Sequence, residues 1–349
     1  NVQQARTLLD IACSGEAIDT QRSKQSATLQ AQIAHHSQFG ERFSLENYLK
    51  GLADAARCQV PEADPFRFAS LVEKRENMLE AITYLSENEA QIGAEVAAIL
   101  APYTPADFTF SGEVIFLAAS FSCGGFYSAG AFFVDIPCLA SDIESEMDAI
   151  VLLVAHETYH AMQAQFAYPK VDGPNGIATV QSAYDFMFQR LAWEGTASHI
   201  GDMLEVEGDG RYASFSRNLA KRSFRQLKYN FHLLDFMVEA VGQSPDTVEE
   251  RFPRIFGLAF DGAFDQRAYF VGQQMAAEIE HSFGASAIPC VLAQPYENFL
   301  LAYDMALRDD DNLARSHSFD PATLSVARAR AASRPRPFDI TACTSGQRG

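Results

Sequence analysis

Two histidines four residues apart enclose a glutamate in the run His156-Glu157-Thr158-Tyr159-His160. On a helix, residues i and i+4 stand one turn apart on a shared face, so both imidazoles can reach one divalent cation while Glu157 stays beside a water on that ion. The chemistry that follows is hydrolytic: the metal acidifies the water, and the carboxylate takes its proton. The chain holds 8 His and 23 Glu in 349 residues, and at those frequencies the pattern arises by accident in roughly 1% of such chains. The plain alternative is a core helix with two ordinary histidines. The apolar stretch Ile150-Val151-Leu152-Leu153-Val154-Ala155 just before the motif suits both readings, because an apolar shell keeps a metal site dry.

A zinc centre that also binds water needs a third protein ligand. Glu194 is the candidate, 34 residues after His160 in Trp193-Glu194-Gly195-Thr196-Ala197-Ser198, where small neighbours would let two helices approach closely. His199 is a rival five residues further on, and Asp202, two turns beyond Glu194, reads as a solvated acid. His35, His36 and His317 read as exposed, and His232 reads as a packed helix residue.

The pairing of His-Glu-x-x-His with a downstream Glu194-Gly195-Thr196-Ala197 helix resembles the gluzincin zinc metallopeptidases, especially uncharacterised bacterial zinc-dependent peptidases. The resemblance covers about residues 150 to 205, with a weaker echo at Tyr269-Phe-Val-Gly-Gln-Gln-Met-Ala276. It implies His156, His160 and Glu194 as zinc ligands, Glu157 as general base, and a zincin-like fold with the metal helix between a small sheet and a helical lobe. The sequence departs from the family where gluzincins often carry an acid four residues after the ligand glutamate; Ser198 stands there and would orient a zinc histidine more weakly. The tetrahedral oxyanion of amide hydrolysis needs a donor besides the metal, and Tyr269 is the first candidate, against the alternative of a half-buried aromatic at a helix start. Tyr159, inside the motif, points to another helix face.

The elements that must position these groups follow from periodicity. Residues 1–105 read as a helical segment, with Leu45, Leu49 and Leu52, then Leu71, Met78, Leu79, Ile82 and Leu85, at helical spacing. Residues 106–140 read as a small sheet: Phe108-Thr-Phe, Val114-Ile-Phe-Leu and Ala131 to Ile136, joined by turns at Gly124-Gly125. The strand Ala131 to Ile136 could hold an extended peptide by its edge, or lie inside the sheet. Ser141-Asp-Ile-Glu144 has capping-box spacing and predicts a helix running to about 166; a loop from Pro169 to Gly176 separates it from a second helix over roughly 180–206. Further helices are expected around Leu227 to Val238, Tyr269 to Phe283 and Tyr296 to Leu307. Residues 141–310 thus form a zinc-binding helical region, 105–310 reading as one catalytic unit. Residues 311–349 are a basic tail that wraps on the acidic body or extends into solvent. The fold class is α+β, predominantly helical, with a helical C-terminal lobe.

A formal charge of -18 disfavours nucleic acid and anionic membrane surfaces, and no apolar run has the roughly 18 residues that a membrane span needs. The start Asn-Val-Gln-Gln, with no initiator Met, fits a mature form whose leader was removed. Six scattered cysteines, at 13, 58, 123, 138, 290 and 343, contain no Cys-x-x-Cys and permit three disulfides, with Cys123–Cys138 and Cys290–Cys343 as conceivable pairs. Together these favour an exported protein. The leading expectation is a zinc peptidase acting on peptides or proteins. The alternatives are a zinc hydrolase of other amides or esters, and a catalytically silent zincin-fold binding module.

Overall fold

The computed structural model describes residues 1–105, 107–121, 124–169, 173, 176–243, 245–309, 317–334, 340 and 343. The chain divides into two compact units. The first comprises Asn1–Ala97, Ser111–Ala161 and Val206–Ser216; the second comprises Ala98–Phe110, Met162–Glu205 and Arg217–Gly349. The described elements are mostly helices with one three-stranded sheet, an α+β composition. Among the described residues no helix is long and apolar enough to cross a membrane.

In the first unit, seven helices precede the sheet: α1 (Gln3–Ile11), α2 (Thr20–Lys24), α3 (Ala27–His36), α4 (Leu45–Ala56), α5 (Ala69–Glu73), α6 (Arg75–Glu87) and α7 (Glu89–Leu100). Ser26 and Ser44 cap α3 and α4 by accepting the amides of Leu29 and Asn47, each satisfying a donor that has no partner inside the helix. The helical spacing of Tyr48, Leu52 and Ala55 buries one face of α4, where Tyr48 meets Phe66 and Phe68 at ring distances of 5.1 and 5.0 Å. Full burial of such a side chain stabilises by about 1.5–3 kcal/mol. Cys13 and Cys58 form a disulfide that ties the end of α1 to the end of α4.

His36 corrects an expectation. It is fully buried, not exposed, and lies among the rings of Phe43, Phe66, Phe121 and Phe126. Burial, reinforced by the neighbouring His35, pushes its pKa down to about 3. Adjacent histidines in a polar-looking run hide this, because the cage is assembled from distant residues.

The sheet consists of β1 (Glu113–Leu117), β2 (Gly125–Ser128) and β3 (Ala131–Asp135), in the order β1-β3-β2. β1 runs parallel to β3, with Glu113 opposite Ala131; β2 runs antiparallel, with Phe126 opposite Phe133. Ile115, Leu117, Phe126 and Phe133 pack with Ala31 of α3 into one apolar cluster. β3 is therefore the interior strand, so docking of a peptide along an edge at Ala131 to Ile136 is ruled out; β1 and β2 are the outer strands. Along β1, Asn1 occupies backbone positions: its amino group donates to the Val114 carbonyl, and its carbonyl accepts the Phe116 amide. Residues 108–110 do not join the sheet; Phe108 packs edge-on against Phe166 at 5.6 Å.

The helix bearing the histidine motif, α8 (Met147–Phe166), starts later than its sequence signal suggests. Asp142, not Ser141, does the capping, accepting from the amide and hydroxyl of Ser145 ahead of a single 3-10 turn at Glu144–Glu146.

The second unit contains α9 (Val180–Ile200), α11 (Leu227–Gly242), α12 (Val248–Phe260), α13 (Arg267–Phe283), α14 (Ala287–Leu292), α15 (Glu297–Ala306) and α16 (Pro321–Ala332); α10 (Arg211–Arg225) begins in the first unit's segment. Thr179 and Ser182 form a capping box at the start of α9, and the helix stops at Gly201, where Asp202 accepts the Leu204 amide in a turn. α9 and α13 cross at two glycines: a Cβ on Gly195 would lie 2.3 Å from the Gly272 Cα, so no side chain fits at either position. In the basic tail, α16 is capped by Asp320, and the arginines in and just after it meet polar and acidic groups of their own unit: Arg330 binds the Gln181 amide oxygen and Asp185, and Arg334 binds Asp185 at 2.8 Å and Glu297 at 2.7 Å. Cys290 and Cys343 form a disulfide, whereas Cys123 of the conceivable Cys123–Cys138 pair, most of the Pro169 to Gly176 loop and much of the tail lie outside the described residues.

Candidate metal centre

His156 and His160 stand one turn apart on α8, both half-buried, with their rings nearly perpendicular and their Nε2 atoms 3.1 Å apart. Two bonds of about 2.05 Å meeting at the tetrahedral angle hold their ligand atoms roughly 3.3 Å apart, so this spacing fits two imidazoles on one zinc ion. Ligand atoms of His156, His160 and Glu194 all lie within 4.8 Å of one another, and among the described residues this is the group able to hold a metal. Two neutral imidazoles and one carboxylate are a donor set of the kind zinc takes in hydrolytic centres.

The carboxylate is held from its own helix. Glu194 is 5% exposed and ion-paired to Arg190, one turn earlier on α9, which fixes its rotamer. The turn that carries it is anchored by Gln163, a fully buried residue three positions past His160. Its amide donates to the Trp193 carbonyl at 3.0 Å and to the Thr196 hydroxyl at 2.8 Å, bracketing Glu194. Thr196 in turn donates to the Ala192 carbonyl. Sequence reasoning passed over Gln163; its one signal was a polar residue on the buried face of the motif helix.

Glu157 is 7% exposed. β2 crosses directly over it: a Cβ on Gly125 would lie 2.7 Å from the Glu157 Cγ and 2.9 Å from the Phe133 carbonyl. Gly125, which reads in the sequence as a turn, is instead the strand position that lets this outer strand pass so close to the motif glutamate.

The remaining candidates are placed as follows. His199 bonds Glu280 at 2.5 Å, and Glu280 also accepts from the Tyr103 hydroxyl at 2.9 Å; the His199 bond holds the Glu280 carboxyl below the usual range. Asp202 is half-buried, not solvated, and desolvation raises its pKa despite the Leu204 amide and the Gln273 side chain. His232 is exposed on α11, correcting its reading as a packed residue, and His317 is half-buried. Ser198 is half-buried, one turn past Glu194. Tyr159 is fully buried, as its helix face requires. Tyr269 is half-buried in the first turn of α13.

No curated protein and no solved structure matches the chain. A family model described as "Putative zinc dependent peptidase (DUF5700)" matches residues 22–312, which takes in both histidines, the motif glutamate and Glu194. The chain belongs to this zinc-dependent peptidase family.

Proposed function

We propose that the chain is a zinc-dependent peptidase of gluzincin type, with His156, His160 and Glu194 as ligands and Glu157 as general base. The observation that carries this reading is the convergence of those three ligand side chains, with Glu157 on the same turn of α8. When bound, zinc would polarise the substrate carbonyl and lower the pKa of water toward about 7. Glu157, largely shielded beneath β2, accepts the proton of the attacking water and returns it to the leaving amine. β2, an outer strand passing over Glu157, offers backbone groups along which an extended peptide could lie without its side chains being read. Tyr269 is the donor that the sequence suggests for the developing oxyanion. A zincin-like arrangement agrees with a sheet of which one outer strand crosses the motif helix.

Two disulfides in the described residues support export to an oxidising compartment. The test is cleavage of a mixed-sequence peptide library by zinc-loaded wild type and Glu157→Gln. The reading requires turnover by wild type and its loss in the variant with zinc retained. Zinc binding with no turnover would favour the silent binding module, and turnover confined to esters or simple acyl amides would favour the non-peptide hydrolase.

A further inference from the structure

The charge of the chain is unevenly placed. Arg217, Lys221, Arg222, Arg225 and Lys228 stand in the stretch 217–234 without one Asp or Glu, a local +5 in a chain whose formal charge is -18. The stretch lies in the second unit and covers the end of α10 and the start of α11. One loosened residue, Gln226, joins the two helices: its amide donates to the Ser223 carbonyl at 3.1 Å, and its carbonyl accepts the Tyr229 and Asn230 amides at 2.9 and 3.1 Å. Helical phase therefore carries on from α10 into α11. Arg222, Arg225, Tyr229, His232 and Phe236, spaced by three and four residues, form one row and are all exposed.

The face behind this row is the packed one: Leu227, Phe231, Leu234 and Val238 are buried at helical spacing. α11 is thus apolar on two sides, and its solvent side carries Tyr229 at 71% and Phe236 at 57% exposure. Single apolar residues scattered on a surface are ordinary. Two aromatic rings seven residues apart, about 10 Å along the axis, mark two turns of one row instead. Phe264, 47% exposed, precedes Asp265, which pairs with Arg222 at 2.7 Å. A third exposed ring therefore flanks the residue that meets the basic end of the row.

We propose that the row from Arg222 to Phe236 is a docking surface for an acidic amphipathic helix of a partner protein, a role separate from hydrolysis. Tyr229 and Phe236 meet the apolar residues that the incoming helix presents at i, i+3 or i+4 and i+7, while Arg222, Arg225 and the flanking Lys221 and Lys228 meet the carboxylates beside them. Aromatic and arginine side chains are the usual anchors of such contacts. Charge selects the kind of partner. Screening at physiological salt confines the attraction of the basic stretch to about 8 Å. A helix of about three turns stays over the row, whereas a bilayer or a nucleic-acid duplex also extends over a body that is strongly acidic outside this stretch, and is repelled by it.

The experiment uses the full-length, zinc-loaded chain carrying Glu157→Gln, so that the probe is not cut. The probe is a fluorescein-labelled synthetic peptide with Leu at the i, i+3, i+4 and i+7 positions of a helix and Glu at the others, its binding read by fluorescence anisotropy. The peptide should bind, and a scrambled peptide of the same composition should bind about tenfold or more weakly. Tyr229→Ser with Phe236→Ser, and separately Arg222→Glu with Arg225→Glu, should each weaken binding about tenfold or more while thermal unfolding stays as in the parent. The arginine pair should also remove most of the salt dependence. Lys24→Glu and Val60→Ser, exposed in the other unit, should bind as the parent does. No saturable binding, equal binding of the scrambled peptide, or binding untouched by both pairs of substitutions overturns the proposal. Phosphatidylserine vesicles or a DNA duplex binding more tightly than the peptide through the same four residues overturns it in favour of that polyanion.

Discussion

Replacing Gln163 by leucine tests whether the turn carrying Glu194 is held from α8. The substitution keeps the side-chain volume nearly constant and removes two buried hydrogen bonds, to the Trp193 carbonyl and the Thr196 hydroxyl. A neutral buried bond contributes about 0.5–1.5 kcal/mol net, so their loss costs about 1–3 kcal/mol. Two effects pull toward the lower end: Thr196 keeps the Ala192 carbonyl as its acceptor, and leucine is easier to bury than an amide. Urea unfolding of the metal-free protein should therefore show a loss of about 1–2 kcal/mol. The larger consequence falls on the metal. With the carboxylate between the two anchor points no longer fixed, zinc affinity should fall about 10- to 100-fold, as it does when groups supporting first ligands are removed. Competition of the protein with a chelator of known affinity reads this. Unchanged zinc affinity in a variant that has lost stability would refute the positioning role and leave Gln163 a packing residue.

Three further outcomes follow from the same geometry. His36 binds its proton with a pKa of about 3 in the folded chain and near 6.5 when unfolded, so between those values the unfolded state holds more protons and stability falls as pH falls. Unfolding at pH 5.0 should show about 2 kcal/mol less stability from this residue than at pH 8, a difference absent in His36→Leu. Replacing both Cys290 and Cys343 by alanine opens a loop with a sequence separation of 53. By loop entropy this should cost about 4 kcal/mol, read as a lower unfolding midpoint that reducing agent no longer shifts through this bond. Gly195→Ala places a methyl within 2.3 Å of the Gly272 Cα, and forcing α9 and α13 apart should cost about 1–3 kcal/mol and weaken zinc binding, whereas alanine at the open position Gly93 should do neither.

How far the molecule could be read from its sequence depended on whether the determining contact was local. The helix bearing the His-Glu-x-x-His motif, the helix carrying Glu194 and the helical character of the first hundred residues were legible from local pattern, the last from leucines at helical spacing such as Leu45, Leu49 and Leu52. β2 was not legible: Gly125 reads as a turn residue, and only the approach of Glu157 explains why a strand carries a glycine there. The interior place of β3 was hidden for the same reason, since strand order is set by pairings that local pattern does not specify. α10 and α12 were not read although α12 carries Val248, Phe252, Ile255 and Ala259 at helical spacing and buries them; the Ser- and Arg-rich composition of α10 and the internal Pro253 of α12 drew attention away from that period. Within the candidate site, the histidines and Glu194 had a spacing and a context to find them by. Gln163 meets Trp193 and Thr196 some thirty residues away, and a glutamine in a helix carries no mark of that.

The sharpest check on the ligand assignment is the zinc content of the purified protein measured beside His160→Ala and Glu194→Ala variants, each refolded with one equivalent of metal and passed through a desalting column. Three converging ligands require about one zinc per wild-type chain and a large loss from each variant, with secondary structure retained. A wild type that retains no zinc, or variants that hold it as tightly as wild type, would contradict the assignment of His156, His160 and Glu194 to a common ion.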